Sequence, residues 1–365
     1  MSPFAVLAED LRRRIKESAL KPGAMIGTEV NLAAESGLSR MTVRRAVQEL
    51  VDEGLVERRA GRGIFVSEAR FTTARSIRVL VGNLLWAPAV RVAQAVQDEA
   101  QKAGREASVF DARGDLATFI SELETLPDSG FAGAVVMSQH DAAFNRGLAR
   151  LVAADFPFVV VDQTLSDLPG ASVASDNRAG GRLAAGAFLA AGHRRIAFLG
   201  DLAADTTSSR AQGVADACAE ELVPPPAMFG IPGQRFGDWE PAIRARVAEM
   251  LASAAPPTGL VCSCDAVARI AMRALASAGL AIPRDMSVTG FDDDPIAEWT
   301  TPALTTIRQD FSEMGRRAFR ALSSLLEGAP PRHEAVPVSL VERGSVAPRS
   351  PTLHPASHSH PGAIA

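Results

Sequence analysis

Lysine is almost missing from this chain: Lys16, Lys21 and Lys102 occur, and none follows. Schiff-base chemistry with a carbonyl cofactor needs a lysine amine, so the last two thirds of the chain cannot supply it. None of the three lysines stands in a Gly-Lys-Ser/Thr phosphate loop. Cysteine is scarce too, with Cys218, Cys262 and Cys264 only. Three cysteines make no disulfide framework, which fits a reducing cytoplasm. Cys262-Ser263-Cys264 is too closely spaced and too partnerless for zinc, and reads as strand core. No Gly-x-Ser-x-Gly elbow occurs. No apolar run of about 18 residues exists, so no membrane span is expected. The N-terminus lacks the basic, apolar and small-residue order of a secretion signal. No catalytic residue, metal site or cofactor is expected, and the expected location is the cytoplasm.

What is there is a 365-residue chain with ample apolar content and a net charge of −4. That length predicts two or three domains, and the charge argues against general coating of nucleic acid. Residues 1–70 carry 12 Lys/Arg against 10 Asp/Glu, a net of +2, which leaves −6 on the rest. The basic balance is local, as expected when DNA binding is confined to one end.

The stretch 28–66, TEVNLAAESGLSRMTVRRAVQELVDEGLVERRAGRGIFV, reads as a short helix, a turn at Gly37, a second helix and a hairpin. In the second helix Val43, Ala46, Val47 and Leu50 share one face, which is therefore buried. Met41, Arg44, Arg45 and Gln48 fall opposite. Arg40 follows Ser39, an N-cap residue type. A positive charge in the first turn opposes the helix dipole, so an external anion or acceptor is expected there. A helix fits the DNA major groove, and Arg binds guanine edges bidentately. The hairpin runs 55–57, a tip at 58–63, and 64–66. Its Gly61-Arg62-Gly63 lets backbone approach a phosphate or minor groove. A plain three-helix bundle with a solvated basic face is the competing reading, and the basic wing tip argues against it.

Residues 4–66 resemble the GntR-type winged helix through LKPGAMIGTEVNLA, LSRMTVRRAVQELVDEGLVERR and GRGIFV. The resemblance implies DNA contacts among Thr28, Ser39, Arg40, Thr42, Arg44, Arg45, Gly61 and Arg62. It also has departures. Gly27-Thr28-Glu29-Val30 stands where Pro-Ser-Glu-Arg is usual, and Met41 replaces a threonine or serine.

Residues 67–76, SEARFTTARS, lack apolar periodicity and form a linker. A strand signal begins at 77–81. Further strands are expected at 132–137, 158–161, 195–199, 259–262 and 286–290. Helices are expected at 90–102, 179–191, 210–220, 239–254 and 266–279. Such alternation predicts parallel sheets covered by helices. The runs split around Asp176 into two clusters, with a ligand cleft at the carboxyl ends of their strands. The domains are read as 1–68, a linker at 69–76, 77–347, and an unstructured Pro/Ser/His-rich tail at 348–365.

From about 77 to 347 the chain resembles the lactose/galactose-repressor effector domain. The resemblance rests on Val161-Asp162-Gln163, SDNRAGG (175–181), AGHRRIAFLG (191–200), GLAIPRDMSVTGFDDDPIAEWTTPALTTIRQDF (279–311) and PVSLVERGS (337–345). It implies a periplasmic-binding-protein-like fold: two α/β subdomains crossed by three chain segments and closing on one small molecule. Cys264-Asp265 departs from the family's Asn-Asp. The implied effector residues are Asp162, Arg210, Asp292 and Gln309, with Trp86 and Phe236 as stacking faces. Arg210 and Asp292 are expected to be open to water in an empty cleft. Asp176-Asn177 and Asp293 are expected as caps or hinge bonds, Trp239 and Trp299 as packing residues. His193 is expected as a helix C-terminal feature, and His354, His358 and His360 as part of a solvated tail.

The whole reads as an α/β regulator. Its expected partners are double-stranded operator DNA, a small-molecule effector and a second copy of itself. A sugar-responsive repressor is the first reading. A nucleoside or sugar phosphate as effector, or activation instead of repression, is the alternative. An aminotransferase-like fusion fails on the missing lysine, and a transport-binding protein on the missing signal peptide and the DNA-binding module.

Overall fold

The structure is a computed structural model and describes residues 3–16, 23–67, 76–139, 141–165, 168–232 and 239–349. In the N-terminal unit α1 (Pro3–Lys16) packs on α3 (Arg40–Asp52), with α2 (Glu29–Ser36) alongside. Leu7, Ala8, Leu11 and Ile15 of α1 meet Val43, Ala46, Val47 and Leu50 in one core. Burying each Val or Leu contributes roughly 1.5–3 kcal/mol. Arg12 reaches from α1 to Glu49 of α3 and to Glu53 just past its end, and fixes the crossing. Thr28 caps α2 through Asn31 N–H, and α2 stops at Gly37, whose φ of 70° suits a residue without Cβ.

Strands β1 (Met25–Gly27), β2 (Val56–Arg59) and β3 (Gly63–Val66) form an antiparallel sheet in the order β1-β3-β2. The wing tip is shorter than expected. Arg58, Arg59 and Gly63 belong to the paired strands, in the register Arg59 with Gly63. Ser67 is still bonded to Leu55 O. Residues 68–75 of the expected linker lie outside the described residues.

The remainder forms two lobes. The first sheet holds β4 (Ile77–Val81), β5 (Ala107–Asp111), β6 (Gly133–Met137), β7 (Phe158–Val161), β8 (Ala171–Ser175) and, much later in sequence, β14 (His333–Val336). Their order is β14-β8-β7-β6-β4-β5, all parallel. Helices α4 (Ala87–Lys102), α5 (Leu116–Thr125) and α6 (Ala142–Ala153) belong to this lobe.

The second sheet, β10-β9-β11-β12-β13-β15, comprises β9 (Ile196–Gly200), β10 (Ala227–Gly230), β11 (Gly259–Cys262), β12 (Ser287–Asp292), β13 (Thr305–Arg308) and β15 (Ser339–Val341). Only β15 runs antiparallel. Helices α7 (Asn177–Ala190), α8 (Asp205–Glu220), α9 (Trp239–Leu251), α10 (Asp265–Ser277) and the single turn α11 (Ile296–Trp299) belong here. Helix α12 (Phe311–Leu326) returns to the first lobe, where Phe311, Met314, Ala318, Phe319 and Leu322 join its core.

The chain therefore crosses between lobes three times: after β8, after β13 and after β14. Helices α7 and α8 touch most closely at Gly181 and Gly213. A Cβ on either would lie 2.0 Å from a carbonyl oxygen of the opposing helix. Two packing expectations separate. Trp239 is partly buried against the second lobe's core, whereas Trp299 is 79% exposed. Ala297 takes the inward position of the short α11, so Trp299, two residues on, points outward.

Candidate functional site

The first site is the exposed face of α3. Ser39 Oγ accepts from Thr42 N–H and lies 2.8 Å from Thr42 Oγ1, so Arg40 opens the helix. Arg40 and Arg62 are exposed, and neither guanidinium makes an ion pair among the described residues. Arg62 follows Gly61, whose φ of 68° turns the wing tip. Arg44 is exposed and lies 4.0 Å from Glu29.

Arg58, on β2, ties these parts together. It donates to Gln48 Oε1 at 2.5 Å and to Arg44 O at 3.2 Å, and sits 3.6 Å from Glu29. Sequence reading placed Arg58 in the tip loop and missed this tie, because it depends on β2 lying against α3. Arg45 departs from the expected DNA face. Its guanidinium stacks over Phe4 of α1 at 4.2 Å, because consecutive helical residues point about 100° apart. Thr28 serves α2 as its cap.

The second site lies where the strands of both lobes end. Asp162 follows β7 with φ 68°, and Asp292 ends β12 with φ 115°. Non-glycine residues in that region are strained by roughly 1–3 kcal/mol, and here both aim a carboxylate from a strand end. Arg210, on α8, is 6% exposed. Its Nε donates to Asn177 Oδ1 at 2.8 Å and its Nη1 to Ser263 O at 2.6 Å. Its guanidinium lies 3.7 Å from the Phe291 ring centroid and 4.0 Å from Asp292. Gln309, at the second crossover, donates from Nε2 to Asp292 Oδ1 at 2.6 Å. The structure thus brings Arg210, Asp292 and Gln309 together.

The expectation that Arg210 and Asp292 stand open to water is not met. Both are largely buried and bonded within their own lobe. Trp86 immediately precedes α4 and packs edge-on against Phe311 at 6.3 Å, just beyond the same crossover. Phe236 lies outside the described residues, as do His354, His358 and His360.

Burial pushes the Asp292 carboxyl well above its usual range. Arg210 pulls it down, while Asp265 and Asp162 push it up. Asp265, fully buried, is raised to about 7 by burial. It accepts from the Thr306 hydroxyl and from Asp294 N–H. Gly290 makes room for it, since a Cβ there would fall 2.1 Å from Asp265 Oδ1. Asp265 is therefore a brace under the Asp292 loop, which sequence reading noted only as half of a departing motif. Beside it Cys264 is raised to about 12, first by burial and then by Asp292.

Asp293 is held below the usual carboxylate range despite its burial, by Arg343 and Arg308. Asp176 caps α7 through Ala179 N–H. Asn177, weighed in sequence as a cap, instead orients Arg210. His193, just past α7, is buried between Thr258 Oγ1 and Ala347 O, and burial lowers its pKa.

Two family models match the chain. Bacterial regulatory proteins of the gntR family cover residues 5–66. A periplasmic binding protein-like domain covers 185–346. The arabinose metabolism transcriptional repressor of Geobacillus stearothermophilus is 26% identical over 336 residues, 89% of this chain and 91% of that one. The HTH-type transcriptional regulator MalR of Streptomyces coelicolor is 31% identical over 241 residues, 61% of this chain and 67% of that one. A LacI family transcriptional regulator from Enterococcus faecium with bound ribose superposes with a TM-score of 0.62 at 26% identity, over 75% of this chain and all of that one. The chain belongs to the transcriptional regulators that join a GntR-type helix-turn-helix domain to a LacI/GalR-type, periplasmic-binding-protein-like domain.

Proposed function

We propose that this protein is a transcriptional repressor that binds operator DNA through α3 and the wing and is controlled by a sugar in the cleft between the lobes. The observation that carries this reading is one chain holding both an exposed arginine face on α3 and a buried polar cluster at facing strand ends. Arg40 and Arg44 read bases, Ser39, Thr42 and Thr28 meet phosphates, and Gly61-Arg62 reaches the backbone or minor groove.

Asp162, Arg210, Asp292 and Gln309 hold the effector. Their types both donate to and accept from hydroxyls, and Trp86 lies near the same crossover. The effector is a pentose or hexose, and the arabinose and ribose relatives favour the pentose. Two copies pair in the cytoplasm and place two winged helices on a two-fold operator. Effector binding shifts one lobe against the other and changes that spacing. By linkage, the sugar binds the two forms with different affinity, and as an inducer it favours the DNA-free one.

The test is fluorescence anisotropy on an operator obtained by in vitro selection, with and without pentoses and hexoses. The expected result is nanomolar-range binding that one sugar weakens at least tenfold. Binding without sequence preference, or preference indifferent to every sugar, would overturn the reading.

A further inference from the structure

Among the described residues, two buried acceptors in the cleft have no donor. Gln163 follows Asp162 at the end of β7 and is 8% exposed. Its Nε2 reaches across to Asp205 Oδ2, at the start of α8 in the other lobe, at 3.3 Å. Its Oε1 is buried and meets no donor among the described residues. Gln309, 2% exposed, repeats the pattern: Nε2 is engaged by Asp292 and Oε1 has no donor. Buried carbonyl oxygens are normally paired, and leaving one unmet is unfavourable. Two of them near the crossing of the lobes, one next in sequence to Asp162 and the other on Asp292, ask for N–H or O–H groups.

Among the described residues the supply of positive charge in the cleft is small. Arg210 has five N–H groups, of which Asn177 and the Ser263 carbonyl already hold two. Among the described residues, the carboxylates of Asp162, Asp205 and Asp292 against this one guanidinium give a balance of −2, and of −1 if Asp292 keeps its proton. The phosphate or carboxylate group of a charged sugar brings only acceptors, so its hydroxyls can meet the amide oxygens only by placing that negative group among the carboxylates of Asp162, Asp205 and Asp292. A hydroxyl donates to one neighbour and accepts from another, so a neutral polyol satisfies the amide oxygens and Arg210 together.

Resting on the sugar-sensor reading above, we propose that the cleft selects an uncharged effector rich in hydroxyl donors. Gln163 and Gln309 accept two of those donors, and phosphorylated or carboxylated sugars are rejected. Gln163 is the specificity residue that sequence reading passed over. It also joins the lobes, so its bond to the effector forms where they meet.

The test is calorimetric titration of the full chain with matched pairs: D-ribose and ribose 5-phosphate, L-arabinose and arabinose 5-phosphate, D-galactose and D-galacturonate. One neutral sugar is expected to bind, with its charged counterpart at least tenfold weaker. Gln163→Leu should weaken that sugar about tenfold while the ligand-free melting temperature stays level or rises. If the leucine variant fails to fold, Gln163→Met, equally long and without the carbonyl, takes its place. A charged sugar that binds as tightly as its neutral parent overturns this inference and leaves the sugar-sensor reading standing. Silence from all six overturns that reading, and this inference with it. A Gln163 variant with lower ligand-free stability and unchanged affinity makes the residue structural and overturns its assignment.

Discussion

Arg210→Ala tests whether the cleft arginine is a ligand contact, a brace, or both. The substitution deletes bonds to Asn177 Oδ1 and Ser263 O and the stack on Phe291. Hydrogen bonds to a charged group contribute about 1.5–3 kcal/mol each, and a desolvated cation–π contact about 2 kcal/mol. Against this, the buried guanidinium no longer has to be stripped of water. The comparable measured balance is the loss of one partner from a buried ion pair, about 3–5 kcal/mol. Asp292 loses its nearest cation at the same time, and its carboxyl is already pushed up by burial.

We expect the ligand-free protein to lose roughly 3 kcal/mol. In a unit of 150–250 residues that is a fall of about 6–12 °C in melting temperature. Effector affinity falls as well. Scanning calorimetry with and without the bound sugar reads both. Arg210→Lys keeps the charge but not the planar fork, so it should recover less than half of the stability. A ligand-free melting temperature within about 2 °C of wild type would refute the bracing role and return Arg210 to a solvated side chain awaiting ligand.

Three further outcomes are expected. Burial raises the Asp265 carboxyl from 3.8 to about 7, so the folded state holds a proton that the unfolded state has released. Stability should therefore fall as pH rises from about 4 to about 7; urea melts of wild type and Asp265→Asn should differ by that slope, and identical slopes would contradict it. Arg40→Ala and Arg44→Ala should each weaken operator binding by about 1–3 kcal/mol and leave sugar binding unchanged; anisotropy equal to wild type for both would remove α3 from the interface. Sedimentation should show a dimer protecting two symmetric half-sites, and a monomer protecting one half-site would contradict the pairing.

How far the sequence reached follows from the range of the interactions involved. Ser39 as cap, Gly37 as the stop of α2, and the buried row Val43, Ala46, Val47 and Leu50 are set by neighbours within one or two turns. Periodicity and capping therefore exposed them. The alternation of apolar runs likewise announced parallel sheets, although strands of small residues such as Ala171–Ser175 gave little signal.

Tertiary structure decided the rest. Arg210 takes its partners from 33 and 53 residues away. Gln163 meets Asp205 across 42 residues and the gap between lobes. Gln309 meets Asp292 only because β13 lies beside β12. Arg45 and Trp299 have the same composition-level appearance as their neighbours, yet one packs on α1 and the other faces outward. Local sequence fixes which backbone forms and which face is apolar. It does not encode which distant group arrives to accept or donate a hydrogen bond, and in this cleft that arrival separates a brace such as Asp265 from an acceptor such as Gln163.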